Sequence, residues 1–194
     1  MNKNKKSFIA IIPARENSKE IKNKNLILIG GHPLISYSIT AAKKSKFIKD
    51  VFVSTDGKNI AKVARKYGAK VVIRPKKLAK DKSQIEDSIP YTIKHIKKLF
   101  NQKCENIVLM QPTSPQRSTN DLDNAIRKFI KDKADSLFSC TEQDLCIWEK
   151  KNSKIIPTNF NPYKRKNRQD KNKNYIENGS IYVTKKKIYD IYKN

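Results

Sequence analysis

Just after a short apolar run, the stretch IIPARENSKEIKNKN (Ile11–Asn25) offers Arg15, the small polar pair Asn17 and Ser18, and Lys19, Lys22 and Lys24. Backbone N–H groups in a loop, with lysine and arginine nearby, make a cradle for a phosphate or another anion. Three more stretches carry chemistry: STDG (Ser54–Gly57), the pair Arg74-Pro75, and QPTSPQR (Gln111–Arg117). On residue types alone, the basic loop is equally a solvated turn in a lysine-rich chain. Asp56 is equally the N-cap of a helix that follows it. No G-x-x-x-x-G-K-[ST] occurs, which excludes a P-loop, and no G-x-G-x-x-G supports a dinucleotide fold.

The surrounding elements place these stretches. SFIAIIPA, DVFVST, KVVIRP, ENIVLMQP and DSLFSCT read as strands. Between them fall helical patterns. HPLISYSITAAKKS carries Pro33 in its first turn. DGKNIAKVARKYGA puts Ile60, Val63, Ala64 and Tyr67 on one face and stops at Gly68. KSQIEDSIPYTIKHIKKLF repeats Ile85, Ile89, Ile93, Ile96 and Phe100, and Pro90 should bend this helix or mark its start. TNDLDNAIRKFIKDK turns Leu122, Ala125, Ile126 and Phe129 inward.

Strand–helix alternation with short connections specifies an α/β domain, a doubly wound and mainly parallel sheet. In such a sheet ligands sit beyond the carboxyl ends of the strands, where all four chemical stretches fall. After Thr141 the character changes. CIWEKKNSKIIP reads as a hairpin or an arm, and TNFNPYKRKNRQDKNKNY as a basic loop ordered only on binding or not at all. NGSIYVTKKKIYDIYKN then restores a strand and a short helix. The expectation is one domain over 1–194, with an arm and basic loop at about 142–175.

Composition sets limits on function. Forty-three lysines and arginines face eighteen acids, a net +25, but only seven of the cations are arginine and the lysines run through every segment. Nothing gathers them with aromatics into a nucleic-acid face, so the charge favours anionic substrates and no nucleic-acid partner is expected. No apolar run suits a membrane helix, and the run after the basic Met1–Lys6 is too short for a secretory signal, so a cytoplasmic protein without membrane partners is expected. Three cysteines without ligand spacing and two isolated histidines indicate neither disulfides nor a metal site.

Six blocks then occur in order: IIPARENSK-IKNKN, VSTD, YGA-VV-RP--LA-D-S, LMQPTSPQR, RQ and NGSIY. Together they resemble the acylneuraminate cytidylyltransferases, the CMP-sialic acid synthetase family, from Phe8 to about Tyr182. The resemblance implies a Rossmann-like nucleotidyltransferase fold with a small dimerisation arm, and hence a homodimer. It implies an enzyme that joins CTP to a nine-carbon α-keto acid sugar, giving CMP-sugar and pyrophosphate with Mg²⁺, in cell-surface polysaccharide biosynthesis. Nucleotidyl transfer asks mainly for in-line positioning and for cations where the phosphates gather charge.

By the same resemblance, Arg15 and Lys24 hold and neutralise the triphosphate, Asn17, Ser18 and Lys19 shape the loop, and Asn25 lies near the ribose or α-phosphate. Arg74, with the loop containing Asp81 and Ser83, recognises the cytidine. Gln111, Arg168, Gln169 and Tyr182 fall on the sugar side, where the planar fork of Arg168 suits a carboxylate. Many relatives have Gly-Gly at Glu16-Asn17 and glycine at Glu20. The Ser-Lys then Lys-Asn order of the first loop favours a sialic or legionaminic acid. Relatives continue past NG-x-x-Y to an Asp-x-Asp that binds Mg²⁺, whereas the sequence stops at Asn194, so no metal ligand is assigned. The alternative expectation is a truncated relative that binds CTP without turnover.

Overall fold

The computed structural model describes residues 7–16, 18, 21–79, 85–170 and 173–191, apart from the side chains of Glu86 and Arg168. The chain forms two compact units, one from 1–139 with 179–194 and one from 140–178.

In the first unit the strands β1 (Phe8–Pro13), β4 (Ile48–Thr55), β5 (Lys70–Ile73) and β6 (Asn106–Met110) lie parallel, in the order β5-β4-β1-β6. A minor hairpin, β2 (Leu28–Ile29) and β3 (His32–Pro33), separates β1 from the first helix; Gly30 and Gly31 supply the positive φ its turn requires. After β7 (Ser136–Gln143) and the second unit, the chain returns as β10 (Asn174–Lys185), which pairs antiparallel with β6 and stands between β6 and β7. One strand therefore breaks an otherwise parallel pattern.

The sheet is covered on both faces because its strands are apolar on both. All six residues of β1 are buried. Phe8, Ala10 and Ile12 join one core with α1 (Leu34–Lys44), α2 (Lys58–Lys66) and α4 (Thr119–Lys131), while Ile9 and Ile11 join another with α3 (Ile85–Phe100). β6 divides the same way, Val108 and Met110 against Ile107 and Leu109. Period-two alternation thus serves two helical layers rather than a core and a solvent face.

The helix faces read from the sequence pack inward: Ile60 and Ala64 on α2, Ile89, Ile93 and Ile96 on α3, and Leu122, Ile126 and Phe129 on α4 are all buried. One proline sits differently from expectation, and another meets one of two alternatives. Pro33 is the N-cap residue of α1, paired in the small hairpin, rather than a first-turn residue. Pro90 lies inside α3, which begins at Ile85. Gly68 has φ +81 and ends α2, as expected of a left-handed stop.

The second unit contains the hairpin β8 (Trp148–Lys151) and β9 (Lys154–Pro157), turned by Asn152 and Ser153 at positive φ. The basic stretch that follows departs from its expectation, because its first part is held by protein contacts. The Thr158 N–H donates to the Ile147 carbonyl at 2.9 Å, and the Asn159 side chain accepts from Ile147 N–H and donates to the Leu145 carbonyl. Phe160 takes the Trp148 ring edge-on at 5.2 Å and the Arg165 guanidinium over its face at 5.4 Å. These contacts tie the first part of the stretch to the hairpin and to itself.

Candidate functional site

Strand register builds the site. Pro13 lies beside Ser54, and Thr55 beside Ile73, so β1, β4 and β5 end level with one another. The next residues along each chain, Arg15 and Glu16, Asp56, and Arg74, therefore emerge at one edge. Three hydrogen bonds tie that edge. Ala14 N–H donates to the Ser54 carbonyl at 2.9 Å, Arg74 N–H to the Thr55 carbonyl at 2.8 Å, and Glu16 N–H to the Asp56 carboxylate at 3.1 Å.

Asp56 is thus not the helix cap. Gly57 occupies that position, its N–H bonded to Thr55 Oγ1. A Cβ on Gly57 would lie 2.8 Å from the Glu16 side chain, so the absence of a side chain at 57 lets Glu16 rest there. The loop returns through a turn of 3₁₀ helix, Lys24–Leu26, entered by Asn23 at φ 54. Asn25 is buried, and its side-chain amide donates to the Arg15 carbonyl at 3.0 Å, closing the loop on itself.

The electrostatics are concentrated at Arg74. Its side chain is buried, and Nε meets no hydrogen-bond partner among the described residues. Burial lowers its pKa; Asp56 opposes that shift, and the like charge of Arg15 adds to it. Arg15, Ser18 and Lys24 are half-buried, while Lys22 is exposed.

At the neighbouring end of β6, Gln111 is half-buried, and its side-chain oxygen lies 3.4 Å from where a Cβ of Gly179 would stand. Gly179 has φ +68, so a side chain there would also strain the backbone. Tyr182 packs half-buried against the α3-side core.

Sequence reasoning missed Arg117. It is buried, and its guanidinium donates to the carbonyls of Ser180 (2.6 Å) and Gln111 (3.4 Å) and to the hydroxyls of Ser180 and Ser38. Burial brings its pKa down to about 10, with Asp121 pulling the other way, so it stays charged at neutral pH. Its signal was a lone arginine directly before Ser118, whose capping box with Asp121 starts α4.

Of the remaining sequence-assigned residues, Asn17, Lys19, Asp81 and Ser83 lie outside the described residues. Arg168 and Gln169 belong to the second unit, in a 3₁₀ turn Arg168–Asp170. Gln169 is exposed, and the Arg168 side chain lies outside the described residues. Of the assigned residues, the register therefore places Arg15 and Arg74 at the ends of β1 and β5, the two strands that flank β4, with the Arg15 loop carrying Ser18, Lys24 and Asn25. Gln111 and Tyr182 lie on the paired strands β6 and β10.

The class defined by this architecture is an α/β nucleotidyltransferase fold. The solved CMP:2-keto-3-deoxy-manno-octonic acid synthetase complexed with CTP overlays it with a TM-score of 0.70, covering 95% of this chain and 76% of that one at 19% identity. The particular family follows from sequence: the cytidylyltransferase family model matches residues 9–192, and the chain belongs to that family. It is 35% identical over 186 residues to N-acylneuraminate cytidylyltransferase A of Danio rerio, covering 93% of this chain and 42% of the relative. It is 33% identical over 186 residues to a pseudaminic acid cytidylyltransferase of Campylobacter jejuni, covering 93% of this chain and 79% of the relative. The chain spans less than half the length of the N-acylneuraminate cytidylyltransferases it matches.

Proposed function

We propose that this chain carries the CTP-binding core of a cytidylyltransferase for a nine-carbon α-keto acid sugar of the sialic or legionaminic type. The observation that carries the reading is the level ending of β1, β4 and β5, with Arg15 and the buried Arg74 at their tips. In the reaction, a sugar hydroxyl oxygen bonds to the α-phosphorus of CTP, loses its proton, and the bond to the β-phosphate oxygen breaks to release pyrophosphate. Arg15 and Lys24 would neutralise the charge gathering on the phosphates, and Ser18 with the closed Asn25–Arg15 loop would hold them in line. Asn17 and Lys19 would complete that loop. Arg74 would meet the cytidine, together with Asp81 and Ser83. Gln111 and Tyr182 would form the acceptor side. The family resemblance gives Arg168 and Gln169 a sugar-binding role as well.

Mg²⁺ is the metal the family implies, and bound to the phosphates it would offset their charge. Among the described residues no three His, Cys, Asp or Glu side chains stand together to hold a metal ion.

The homodimer expected of the family draws support from the second unit, in which Leu145, Ile147, Trp148, Ile155, Tyr163 and Tyr175 are all exposed. Sedimentation at micromolar concentration should show two copies, and a monomer would overturn that part. Among the described residues no helix is long and apolar enough to cross a membrane. A cytoplasmic location is part of the same proposal.

The deciding experiment measures pyrophosphate release from CTP with N-acetylneuraminic, legionaminic and pseudaminic acids in turn, beside thermal shifts with CTP and ATP. Release with one acid and a larger shift with CTP are expected, since a ligand stabilises in proportion to its binding of the folded state. Equal shifts with both nucleotides would overturn the reading, and a CTP-selective shift without turnover would reduce it to CTP binding.

A further inference from the structure

We infer that Arg117 is the positioning residue for the acceptor side: its guanidinium extends the β6–β10 pairing by one rung and so fixes Gln111 against Gly179. The last paired residues in that ladder are Met110 and Ile181, so Gln111 and Ser180 come next on the two strands. Both of their carbonyls accept from Nη1 of Arg117, at 3.4 and 2.6 Å, and the Ser180 hydroxyl accepts at 3.3 Å. Nη2 anchors the fork from the other side on Ser38 of helix α1, whose hydroxyl also donates to the Gln111 carbonyl.

A side chain thus does the work of a backbone rung where antiparallel pairing gives out. One residue further, the Gln111 side chain covers Gly179, and three residues beyond Gly179 on the same strand stands Tyr182. A buried guanidinium is expensive to desolvate, and Asp121 acts on this one only through space. A lysine at 117 would carry the same charge but could not offer a planar fork to four acceptors on three elements. Arg117 acts through Gln111 and need not touch a substrate.

The assignment of Gln111 to the acceptor side rests on the proposed function, and the experiment separates the two. In steady-state assays, Arg117→Lys should raise KM for the keto-acid sugar about tenfold or more while leaving the CTP Kd within about twofold. The double variant with Gln111→Ala should be no worse than Gln111→Ala alone, because residues acting as a unit are non-additive. Parallel losses of sugar and CTP, or additive losses, would overturn the inference.

A readout without turnover comes from ¹⁵N spectra. In Arg117→Lys the Gln111 side-chain amide and the Gly179 N–H should shift, while the Asn25 side-chain amide, bonded to the Arg15 carbonyl, should not. If the wild type releases pyrophosphate with none of the sugars, the substrate reading falls and these spectra alone decide. An unmoved Gln111 amide sinks the positioning role. Should Arg117→Lys not fold, Ser38→Ala removes the Nη2 anchor together with one hydrogen bond to the Gln111 carbonyl, and the same amide should move; an unmoved amide overturns the role.

Discussion

The ends of β5 and β6 each bury an arginine whose Nε lacks a partner among the described residues, yet the two surroundings differ. Around Arg117 the protein supplies acceptors from α1, β6 and β10, and the cation is consumed in holding those elements. Around Arg74 the nearest charges are Asp56 and a second cation, Arg15, so like charges stand together. Burial alone therefore does not say what an arginine is for. The acceptors it bonds do: Arg117 is spent on holding three elements, whereas Arg74, beside Asp56 and Arg15, is the one that the proposed function turns toward the cytidine.

The largest expected effect tests the architectural half. Arg117→Met leaves two buried carbonyls and two hydroxyls without their donor, and should cost about 3 kcal/mol in urea unfolding, the scale of several lost charge-assisted bonds. Arg74→Met should do the reverse. Stability should hold or rise slightly, since an apolar residue replaces a buried charge, while CTP affinity by calorimetry falls by about 2 kcal/mol. If the two variants destabilise equally, the contrast is gone.

Next in size, Arg15→Ala should weaken CTP binding by about 1.5–2 kcal/mol, whereas exposed Lys22→Ala should cost well under about 0.5 kcal/mol. Both remove one positive charge, so equal losses at matched salt would mean that only the bulk +25 attracts the nucleotide. Asp56→Asn keeps an acceptor for the Glu16 N–H but leaves Arg15 and Arg74 to repel, and should lower stability by about 0.5–1 kcal/mol, more at low salt than at high.

Cys104 gives the smallest effect and a measure of burial without acceptors for a fork. Burial pushes its thiol up to about 11, with Lys186 pulling down. The folded pKa lies above the unfolded one, so the stability of the neutral thiol is complete below its ordinary value of 9.0 and is lost as pH rises toward about 11. Over that window the wild type should lose up to about 1 kcal/mol more than Cys104→Ala in parallel unfolding curves.

Much of the fold was legible because apolar period and turn residues are local. The double-sided cores follow from continuous apolar strands, and the stop of α2 from Gly68. The chemical edge was legible for a related reason: residues directly after parallel strands must emerge together, which placed Arg15 and Arg74. Asp56 and Arg117 were not, since each bonds to residues far along the chain, Glu16 in one case and Ser38 and Ser180 in the other. A cue was present nonetheless. Arginine is scarce, seven among 43 cations, and at 117 its planar fork bonds carbonyls and hydroxyls that a lysine could not span.

The position of β10 has a consequence for how the molecule forms. It stands inside the sheet between β6 and β7, although it is the last strand among the described residues and β7 precedes it by most of the second unit. During synthesis β6 must wait with an open edge until some sixty further residues have appeared, and β7 has no place to dock before then. Pairings of such separation form late and slowly. The rung made by Arg117 joins residues from both strands, so it can close only once β10 has reached β6. On the proposed function, the acceptor side, with Tyr182 on β10, therefore waits for the same arrival.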